Sequence, residues 1–289
     1  MKDLFGDEII EDELLRDKFI EPPFSVLDTK TASWQQRKRI WISKGLKSEE
    51  GRKSVAIKIG IKSDDKADLE GDNKSNYVSV FDPALCEVIY RWFCKEGGKI
   101  LDPFAGGSVR GIVANYLGYK YTGIDIRQEQ IDSNREQGLD ILDVDNQPNW
   151  YVGDSNQLLD NNWNDEFDLV FSCPPYADLE VYSDLDGDIS NKPYIEFLSL
   201  YESIIDKSCK LLKRGGYACF VVGEVRNKNG YYLGFVPDTI KAFEKCGMKF
   251  YNEAVLLNPV ASASMRANGN MKTEKLVKIH QNVLVFKKP

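Results

Sequence analysis

The chain has 289 residues and a formal net charge of −7, and 42% of its residues are hydrophobic. This length and balance fit one large α/β domain with a small appendage. No apolar run approaches the ~18–20 residues that span a bilayer. Residues 1–8 lack the apolar stretch of a signal peptide. We therefore expect a cytoplasmic protein with no membrane partner.

The cysteines are scattered along the chain, at Cys86, Cys94, Cys173, Cys209, Cys219 and Cys246. A zinc site needs closely spaced thiolates or imidazoles, and this chain has no CxxC pair. Reduced thiols are the usual state inside cells. The sequence therefore predicts no bound metal and no disulfide framework.

Positive charge is concentrated in two stretches of this acidic chain. Residues 30–62 carry ten Lys or Arg side chains against Glu49 and Glu50, and residues 266–288 carry six against Glu274. Because local clusters matter more than net charge for nucleic-acid binding, these stretches indicate one positive face. An ordinary solvated surface fits each stretch equally well.

In chain order, the pattern divides into an N-terminal extension, residues 1–75, and a larger domain, residues 76–289. Residues 1–18 predict a short helix. Residues 33–41 predict a second helix, with Trp34 and Trp41 on one face. Residues 63–76 are polar and charged, which is typical of a linker, and the boundary is placed there.

The larger domain alternates strands with helices. Strands are predicted at 99–103, 120–126, 150–152, 167–172, 217–222, 252–257 and 282–286, and helices at 83–95, 109–117, 128–137, 194–212 and 237–246. Glycines 215 and 216 predict the end of helix 194–212. The last two strands fit an antiparallel pair at the sheet edge. The alternation predicts an α/β fold with a doubly wound, mostly parallel, Rossmann-like sheet.

Acidic residues mark the ends of three successive predicted strands. In a doubly wound sheet, ligands bind beyond the carboxyl ends of the strands. Gly106 and Gly107 let the backbone approach a ligand closely. A carboxylate at Asp125 can accept hydrogen bonds from ribose hydroxyls, and one at Asp154 from an adenine amine. The residues with this predicted role are Asp102, Pro103, Phe104, Gly106, Gly107, Ser108, Asp125, Ile126, Asp154 and Ser155.

The ligand predicted for these strand ends is not a dinucleotide. The turn after Asp102 lacks the G-x-G-x-x-G pattern. Its acidic start suits a cationic sulfonium better than a pyrophosphate. A plain strand-to-helix turn that needs glycine for its geometry is the alternative.

The segment Ser172-Cys173-Pro174-Pro175-Tyr176 follows the fourth predicted strand. Its two prolines fix φ and lack N–H donors, so carbonyl oxygens are left to accept from an aromatic amine. Tyr176 can stack on a base turned out of its helix. Displacement at a sulfonium methyl depends mainly on positioning, which agrees with the single His280. The pattern predicts methyl transfer to an amine, with Cys173, Pro174, Pro175 and Tyr176 as catalytic residues.

These segments resemble the motifs of amino-group DNA methyltransferases that depend on S-adenosylmethionine. Residues 102–108 resemble the family's cofactor motif, and residues 172–176 resemble its catalytic motif, usually Asp/Asn/Ser-Pro-Pro-Tyr/Phe/Trp. Phe81, Asp82 and Pro83 stand where the family often contacts the methionine carboxylate. The resemblance covers residues 77–286 and extends to compact methylases of phages and mobile elements. It implies S-adenosylmethionine as cofactor and double-stranded DNA with a flipped base as partner.

Position 173 leaves the reaction open between several alternatives. Adenine enzymes of the family usually carry Asp or Asn there, and cytosine-N4 enzymes carry Ser, which Cys173 approaches in size. Cysteine could also attack cytosine for C5 methylation, although in that family the proline precedes the cysteine. An RNA base N-methyltransferase and a nucleic-acid-binding regulator without catalysis are further alternatives.

The resemblance includes no large target-recognition domain. We therefore expect recognition from the N-terminal segment and from the loops at 177–193 and 258–280, with residues 262–270 forming a mobile loop. The candidate nucleic-acid contacts are Trp34, Arg37, Lys38, Arg39, Arg226 and Arg266. A homodimer and a separate restriction endonuclease are partners that the sequence leaves open.

Overall fold

The computed structural model describes residues 18–47, 81–160, 163, 166–176, 185, 187–258 and 263–289. Its strands are β1 (Val26–Asp28), β2 (Lys99–Asp102), β3 (Lys120–Asp125), β4 (Asn149–Val152), β5 (Phe167–Ser172), β6 (Leu212–Val222), β7 (Lys249–Leu257) and β8 (His280–Lys287). Its helices are α1 (Ala32–Ser43), α2 (Pro83–Phe93), α3 (Val109–Tyr116), α4 (Gln128–Ile141), α5 (Ser155–Leu158), α6 (Tyr194–Leu211), α7 (Phe235–Lys245) and α8 (Ala263–Met271). The predicted helix at 1–18 and the predicted linker at 63–76 fall almost entirely outside these ranges.

The strands form one sheet in the order β1-β7-β8-β6-β5-β2-β3-β4. Every neighbouring pair is parallel except the two that involve β8, which runs antiparallel to β6 and β7. The predicted fold class, a mostly parallel Rossmann-like sheet with an antiparallel pair towards its edge, is confirmed. Strand β1 extends this edge by pairing in parallel with β7, so the described part of the N-terminal extension is built into the sheet.

Helices cover both faces of the sheet, because its central strands are apolar on both sides. Strand β5 is buried along its whole length. Leu169 and Phe171 face the cluster that contains residues of α1 to α4, and Val170 faces the cluster of α6 and α7. This alternation is the period-2 pattern of a strand between two helical layers. No helix within the described residues has the length and apolar character needed to cross a membrane.

Helix α1 is anchored to the domain by the two tryptophans that the sequence places on one face. Trp34 is 1% exposed and Trp41 is 2% exposed. The indole N–H of Trp34 donates to Asp82 at 3.1 Å, and that of Trp41 donates to Glu87 at 2.8 Å. Buried indoles with satisfied N–H groups contribute large apolar areas to a core. The predicted helix is therefore present, and the face that carries both tryptophans is buried.

Two local predictions are wrong. The glycines at 215 and 216 do not cap a helix, since α6 ends at Leu211 and β6 begins at Leu212. Gly215 instead adopts a φ of 78° and donates its N–H to the carbonyl of Lys288. The predicted mobile loop at 262–270 is helix α8 from Ala263 onward. Alanine and methionine are strong helix formers, and here they outweigh the glycine and asparagines.

Candidate active site

The predicted cofactor and catalytic segments meet at the carboxyl edge of the sheet. Asp102 ends β2, Asp125 ends β3, and Ser172 ends β5. These strands are neighbours in the order β5-β2-β3, so their ends lie side by side. The hydroxyl of Ser172 donates to the carboxylate of Asp102 at 2.5 Å. The residues that open the two motifs are thus in direct contact, although they lie 70 positions apart in the chain.

Asp102 is buried, which corrects the prediction that it faces the ligand. Its side chain is 0% exposed. The carboxylate accepts from Arg110 Nε at 2.5 Å, from the Tyr121 hydroxyl at 2.6 Å and from the Phe104 N–H at 3.1 Å, besides Ser172. Four donors occupy its oxygens, which offer about four lone-pair sites. Asp102 is therefore a structural centre of the site and not a group that meets a sulfonium.

Arg110 is the central residue that the sequence reasoning missed. Its side chain is 4% exposed, and its Nη2 donates to the carbonyls of Phe104 and Ala105 at 2.6 and 2.8 Å. Burial opposes its charge, but Asp102 holds the pKa of Arg110 above its ordinary value. The guanidinium also lies 4.5 Å from the ring centre of Phe81. A charged residue in the apolar run of α3 was the signal for this role.

The glycine turn is bound to the next strand through Asp125. Gly106 has a φ of 53°, and its N–H donates to the Asp125 carboxylate at 2.9 Å. The other carboxylate oxygen accepts from the Arg127 N–H at 2.9 Å. The side chain of Asp125 is 14% exposed. The residue is therefore fixed in place and still reachable by a ligand.

Asp154, just after the end of β4, packs against Gly187, a glycine that the sequence analysis did not single out. Asp154 caps α5 by accepting from the Asn156 N–H at 2.8 Å. A Cβ added at Gly187 would lie 2.8 Å from Ile126 Cδ1 and 3.0 Å from Asp154 Cβ. Contacts this close are open only to glycine. Gly187 therefore lies directly against two of the predicted cofactor-contacting residues, Ile126 and Asp154.

Exposure separates the predicted cofactor residues into two groups. Residues that are partly exposed, and so able to meet a ligand, are Phe81, Asp82, Phe104, Gly106, Asp125, Ile126 and Asp154. Residues that are buried, and so shape the site from behind, are Pro83, Asp102, Pro103, Gly107, Ser108 and Ser155. Two of the buried hydroxyls have clear structural partners, since Ser108 donates to Gln137 and Ser155 to the Pro103 carbonyl.

The aromatic ring of the catalytic motif is held from behind by β8 and α7. Gln281 donates its side-chain amide to the Tyr176 hydroxyl at 2.9 Å. The Tyr176 ring packs edge-on against Phe235, with centroids 5.9 Å apart. A Cβ at Gly223 would lie 3.5 Å from the hydroxyl. Cys173 and Tyr176 are half-buried, so the motif is rigid yet open on one side.

The segment 81–83 leads into α2, which begins at Pro83 beside this site. Asp82 caps the helix by accepting from the Ala84 N–H at 2.9 Å, and its other oxygen accepts from Trp34. The Phe81 ring packs edge-on against Phe171 of β5, with centroids 5.6 Å apart. The structure therefore places this segment against the strand that leads into the catalytic motif.

The prediction that Trp34 contacts nucleic acid is wrong, because a side chain that is 1% exposed cannot meet a nucleic acid. Arg37 pairs with Glu87 at 2.9 Å, and Lys38 lies 3.7 Å from Asp82. Arg226 donates to the Gly230 carbonyl and stacks 3.8 Å from the Tyr232 ring centre. Of the six candidates, Arg39 and Arg266 are the exposed ones.

Known proteins match parts of this chain. Residues 13–136 match the family model described as DNA methylase. The match contains the segment 81–83 and the turn 102–108, and it ends before the catalytic motif. A stretch of 65 residues is 40% identical to the type II methyltransferase M2.DpnII of Streptococcus pneumoniae. That stretch covers 22% of this chain and 23% of the relative, so the match spans under a quarter of the curated protein.

Solved structures of methyltransferases align with this chain at low sequence identity. TrmN from Thermus thermophilus aligns with a TM-score of 0.46 and 15% identity, over 72% of this chain and 49% of that one. Precorrin-6y C5,15-methyltransferase from Geobacter metallireducens aligns with a TM-score of 0.47 and 14% identity, over 77% and 96%. The family model and the partial relative confirm that the chain resembles amino-group DNA methyltransferases.

Proposed function

We propose that the protein transfers a methyl group from S-adenosylmethionine to the exocyclic amine of a base in double-stranded DNA. The supporting observation is the contact between Ser172 and Asp102. It joins the cofactor-type turn to the proline-rich segment with Tyr176, so that a donor on one side and an amine on the other share one cleft. The DNA methylase match to residues 13–136 supports the same assignment.

The partly exposed residues at the strand ends fit this donor. The partly exposed Asp125 carboxylate would accept hydrogen bonds from the ribose hydroxyls, and Asp154 with Ile126 would hold the adenine. The positive φ of Gly106 brings bare backbone to the cleft. Phe81 and Asp82 would lie at the methionine end. When bound, the donor supplies a sulfonium methyl that is open to attack by a nitrogen lone pair.

The Cys173–Tyr176 segment would orient the base. Pro174 and Pro175 have no N–H groups, so the carbonyls of this segment are the acceptors left for the amine hydrogens. Such hydrogen bonds hold the amine hydrogens and point the lone pair away from the carbonyls. The Tyr176 ring, fixed by Gln281, would stack on the base, which contributes ~1–3 kcal/mol per base. Most of the rate enhancement would then come from positioning.

The base is proposed to be cytosine, methylated at N4, or adenine, methylated at N6. Cys173 resembles the serine of cytosine-N4 enzymes in size, and this leans the proposal slightly towards cytosine. A half-buried thiol followed by Pro174 supports an orienting role for this position. Attack on cytosine C6 would instead need the thiol to reach the face of the ring.

The test is direct analysis of methylated nucleosides. DNA of mixed sequence is incubated with the full chain and S-adenosylmethionine carrying a labelled methyl group, digested, and separated by mass spectrometry. We expect N4-methylcytosine or N6-methyladenine from the wild type and neither from Tyr176→Ala. Labelled RNA with no labelled DNA would contradict the DNA assignment, and 5-methylcytosine would contradict transfer to an amine.

A further inference from the structure

Two cysteines outside the proposed active site face each other between helices α6 and α7. Cys209 lies in the last turn of α6, and Cys246 is the C-cap residue of α7. Their side chains are in hydrogen-bond contact. Both are free thiols, and the proposed methyl transfer uses neither of them.

The packing of the two helices brings these thiols together. Strands β6 and β7 both run antiparallel to β8, so α6 and α7, which lead into them, run in the same direction. The hydroxyls of Tyr201 on α6 and Thr239 on α7 are hydrogen-bonded across the two helices at 3.2 Å. Cys209 and Cys246 each lie about two turns further along the same helices. The pair is therefore a product of the helix packing and not of a flexible loop.

The hydrogen bonds of the pair make its two thiols unequal. The S–H of Cys246 donates to the Ala242 carbonyl at 3.1 Å, so its sulfur can accept the S–H of Cys209. This bond lowers the pKa of Cys246, and the same bond, together with burial, raises the pKa of Cys209. Of the nearby charges, Asp206 raises the pKa of Cys246 and Lys210 lowers it, and these two side chains pair with each other at 2.6 Å. Cys246 is therefore the member that ionises first.

Burial supports the same division between the two thiols. Cys209 is 3% exposed, whereas Cys246 is half-buried where α7 ends. Redox-sensitive cysteines are accessible thiolates that stand beside a second, resolving thiol. In contrast, burial raises the pKa of Cys86, Cys94 and Cys219. These three thiols therefore lack the activation that Cys246 has.

We propose that Cys209 and Cys246 form a peroxide-reactive pair that closes into a reversible disulfide. The Cys246 thiolate attacks one oxygen of hydrogen peroxide, which forms the S–O bond of a sulfenic acid, breaks the O–O bond and releases hydroxide. The Cys209 sulfur then attacks the sulfenic sulfur, which forms the S–S bond and breaks the S–O bond. The hydroxide that leaves takes up the Cys209 proton. In total, the two thiols lose two electrons and two protons, and peroxide becomes two molecules of water. A thiol reductant reverses the change by exchange.

The disulfide would close a loop that contains residues packed against Tyr176. Between the two cysteines lie Gly223, where an added Cβ would be 3.5 Å from the Tyr176 hydroxyl, and Phe235, whose ring packs against that of Tyr176. A cross-link restricts the unfolded chain and so stabilises the folded state. Oxidation of the pair therefore strengthens the part of the fold that supports the catalytic motif.

The test is peptide mapping of the full chain after mild oxidation. The folded protein is treated with an equimolar amount of hydrogen peroxide, the remaining thiols are alkylated, and a tryptic digest is analysed by mass spectrometry. Trypsin releases Cys209 in residues 208–210 and Cys246 in residues 246–249. We expect these two peptides to be joined by a disulfide that dithiothreitol cleaves. Cys246→Ser should lose the link and leave Cys209 as a thiol. Cys209→Ser should accumulate a sulfenic acid on Cys246, which dimedone traps.

Cys94→Ser, at a cysteine without a thiol partner of this kind, is the matched control and should retain the link. The oxidised wild type should melt roughly 5–10 °C above the reduced protein, and Cys246→Ser should lose this shift. Absence of the linked peptides from the oxidised wild type would overturn the inference, as would oxidation of Cys173 in place of Cys246. A linked protein that melts no higher than the reduced one would overturn the stabilising effect.

The outcome is separate from the proposed function, since none of these measurements involves nucleic acid or a methyl donor. Linked peptides from a protein that methylates no nucleic acid would support the thiol pair and contradict the proposed function alone. Methylated DNA from a protein whose peptides stay unlinked would reject the thiol pair alone.

Discussion

The buried carboxylate of Asp102 accepts a hydrogen bond from Arg110 Nε at 2.5 Å, and neither side chain is more than 4% exposed. This pair joins the end of β2 to the first turn of α3. Through Ser172 the same carboxylate reaches β5, and through the Phe104 carbonyl the guanidinium fixes the glycine turn. One ion pair thus sets the relative position of the two motifs.

Removing the guanidinium of Arg110 should strongly reduce the free energy of unfolding. Arg110→Met leaves the Asp102 charge buried and unpaired, and breaking one half of a buried pair costs ~3–5 kcal/mol. We expect that loss in the free energy of unfolding, measured by urea titration. Arg91→Met, at an exposed arginine on α2, is the control and should change it by less than ~0.5 kcal/mol. A loss below 1 kcal/mol for Arg110→Met would refute the central role of this pair.

The bond between Gln281 and Tyr176 predicts a coupled loss of activity. Tyr176→Phe keeps the ring but removes the hydroxyl, and Gln281→Leu removes the donor. Each should lower kcat about tenfold because a buried hydrogen bond contributes ~1 kcal/mol or slightly more. The double variant should be no worse than the single ones, since both remove the same contact. Steady-state methylation assays measure kcat, with Tyr231→Phe, at a side chain that is 72% exposed, as the control; additive losses would argue against the contact.

The sequence carried enough information for the strand ends and the two motifs. Strands β2 to β5 began or ended within about two residues of their predicted limits, because buried apolar runs and glycine turns are local signals. The partners of the site residues were not predictable in this way. Gln281 lies 105 positions from Tyr176, and no local pattern links two such residues before the sheet order is known.

The tryptophans of α1 show a different limit of sequence reasoning. Aromatic and basic residues that alternate along a helix fit both a nucleic-acid surface and a packed face. Trp34 and Trp41 are seven positions apart, so they share a face in either case. The choice depended on Asp82 and Glu87, the acceptors that α2 offers to the two indoles. That information lies in tertiary contacts, which bury the face of α1 that carries the two tryptophans.

Asp125 should control affinity for the methyl donor. Asp125→Asn loses the charge that strengthens hydrogen bonds from ribose hydroxyls, and its NH2 replaces the acceptor of either the Gly106 N–H or the Arg127 N–H. We expect binding of S-adenosylhomocysteine to weaken about tenfold by isothermal titration calorimetry. Asp132→Asn, at an exposed carboxylate on α4, should leave the affinity unchanged. Unaltered affinity in Asp125→Asn would place the ribose elsewhere in the cleft.

Stability should depend on pH through Asp168. Burial opposes its charge, but the Lys99 N–H at 2.9 Å and the ammonium groups of Lys95 and Lys213 hold the pKa of Asp168 below its ordinary value. A lowered carboxyl pKa stabilises the folded state above the unfolded pKa of ~3.9 and loses that effect as the pH falls. Asp168→Asn should therefore cost ~1–2 kcal/mol at pH 7.

The difference between the wild type and Asp168→Asn should shrink as the pH falls below ~4, because the wild-type carboxyl then takes up a proton. Urea titrations at several pH values measure it. Asp132→Asn is again the control. A difference that stays constant from pH 7 to pH 3 would show that the variant acts through packing and not through charge.

Arg39 and Arg266 are the two exposed arginines among the predicted nucleic-acid contacts, and the salt dependence of DNA binding tests them. Each phosphate contact contributes ~0.9 to the slope of log K against log salt. We expect Arg39→Gln and Arg266→Gln each to reduce that slope by about this amount and to weaken binding uniformly across sequences. Lys120→Gln, at the start of β3 and so at the opposite edge of the sheet, should leave the slope unchanged. If neither arginine variant alters the slope, the phosphates are bound by other parts of the chain.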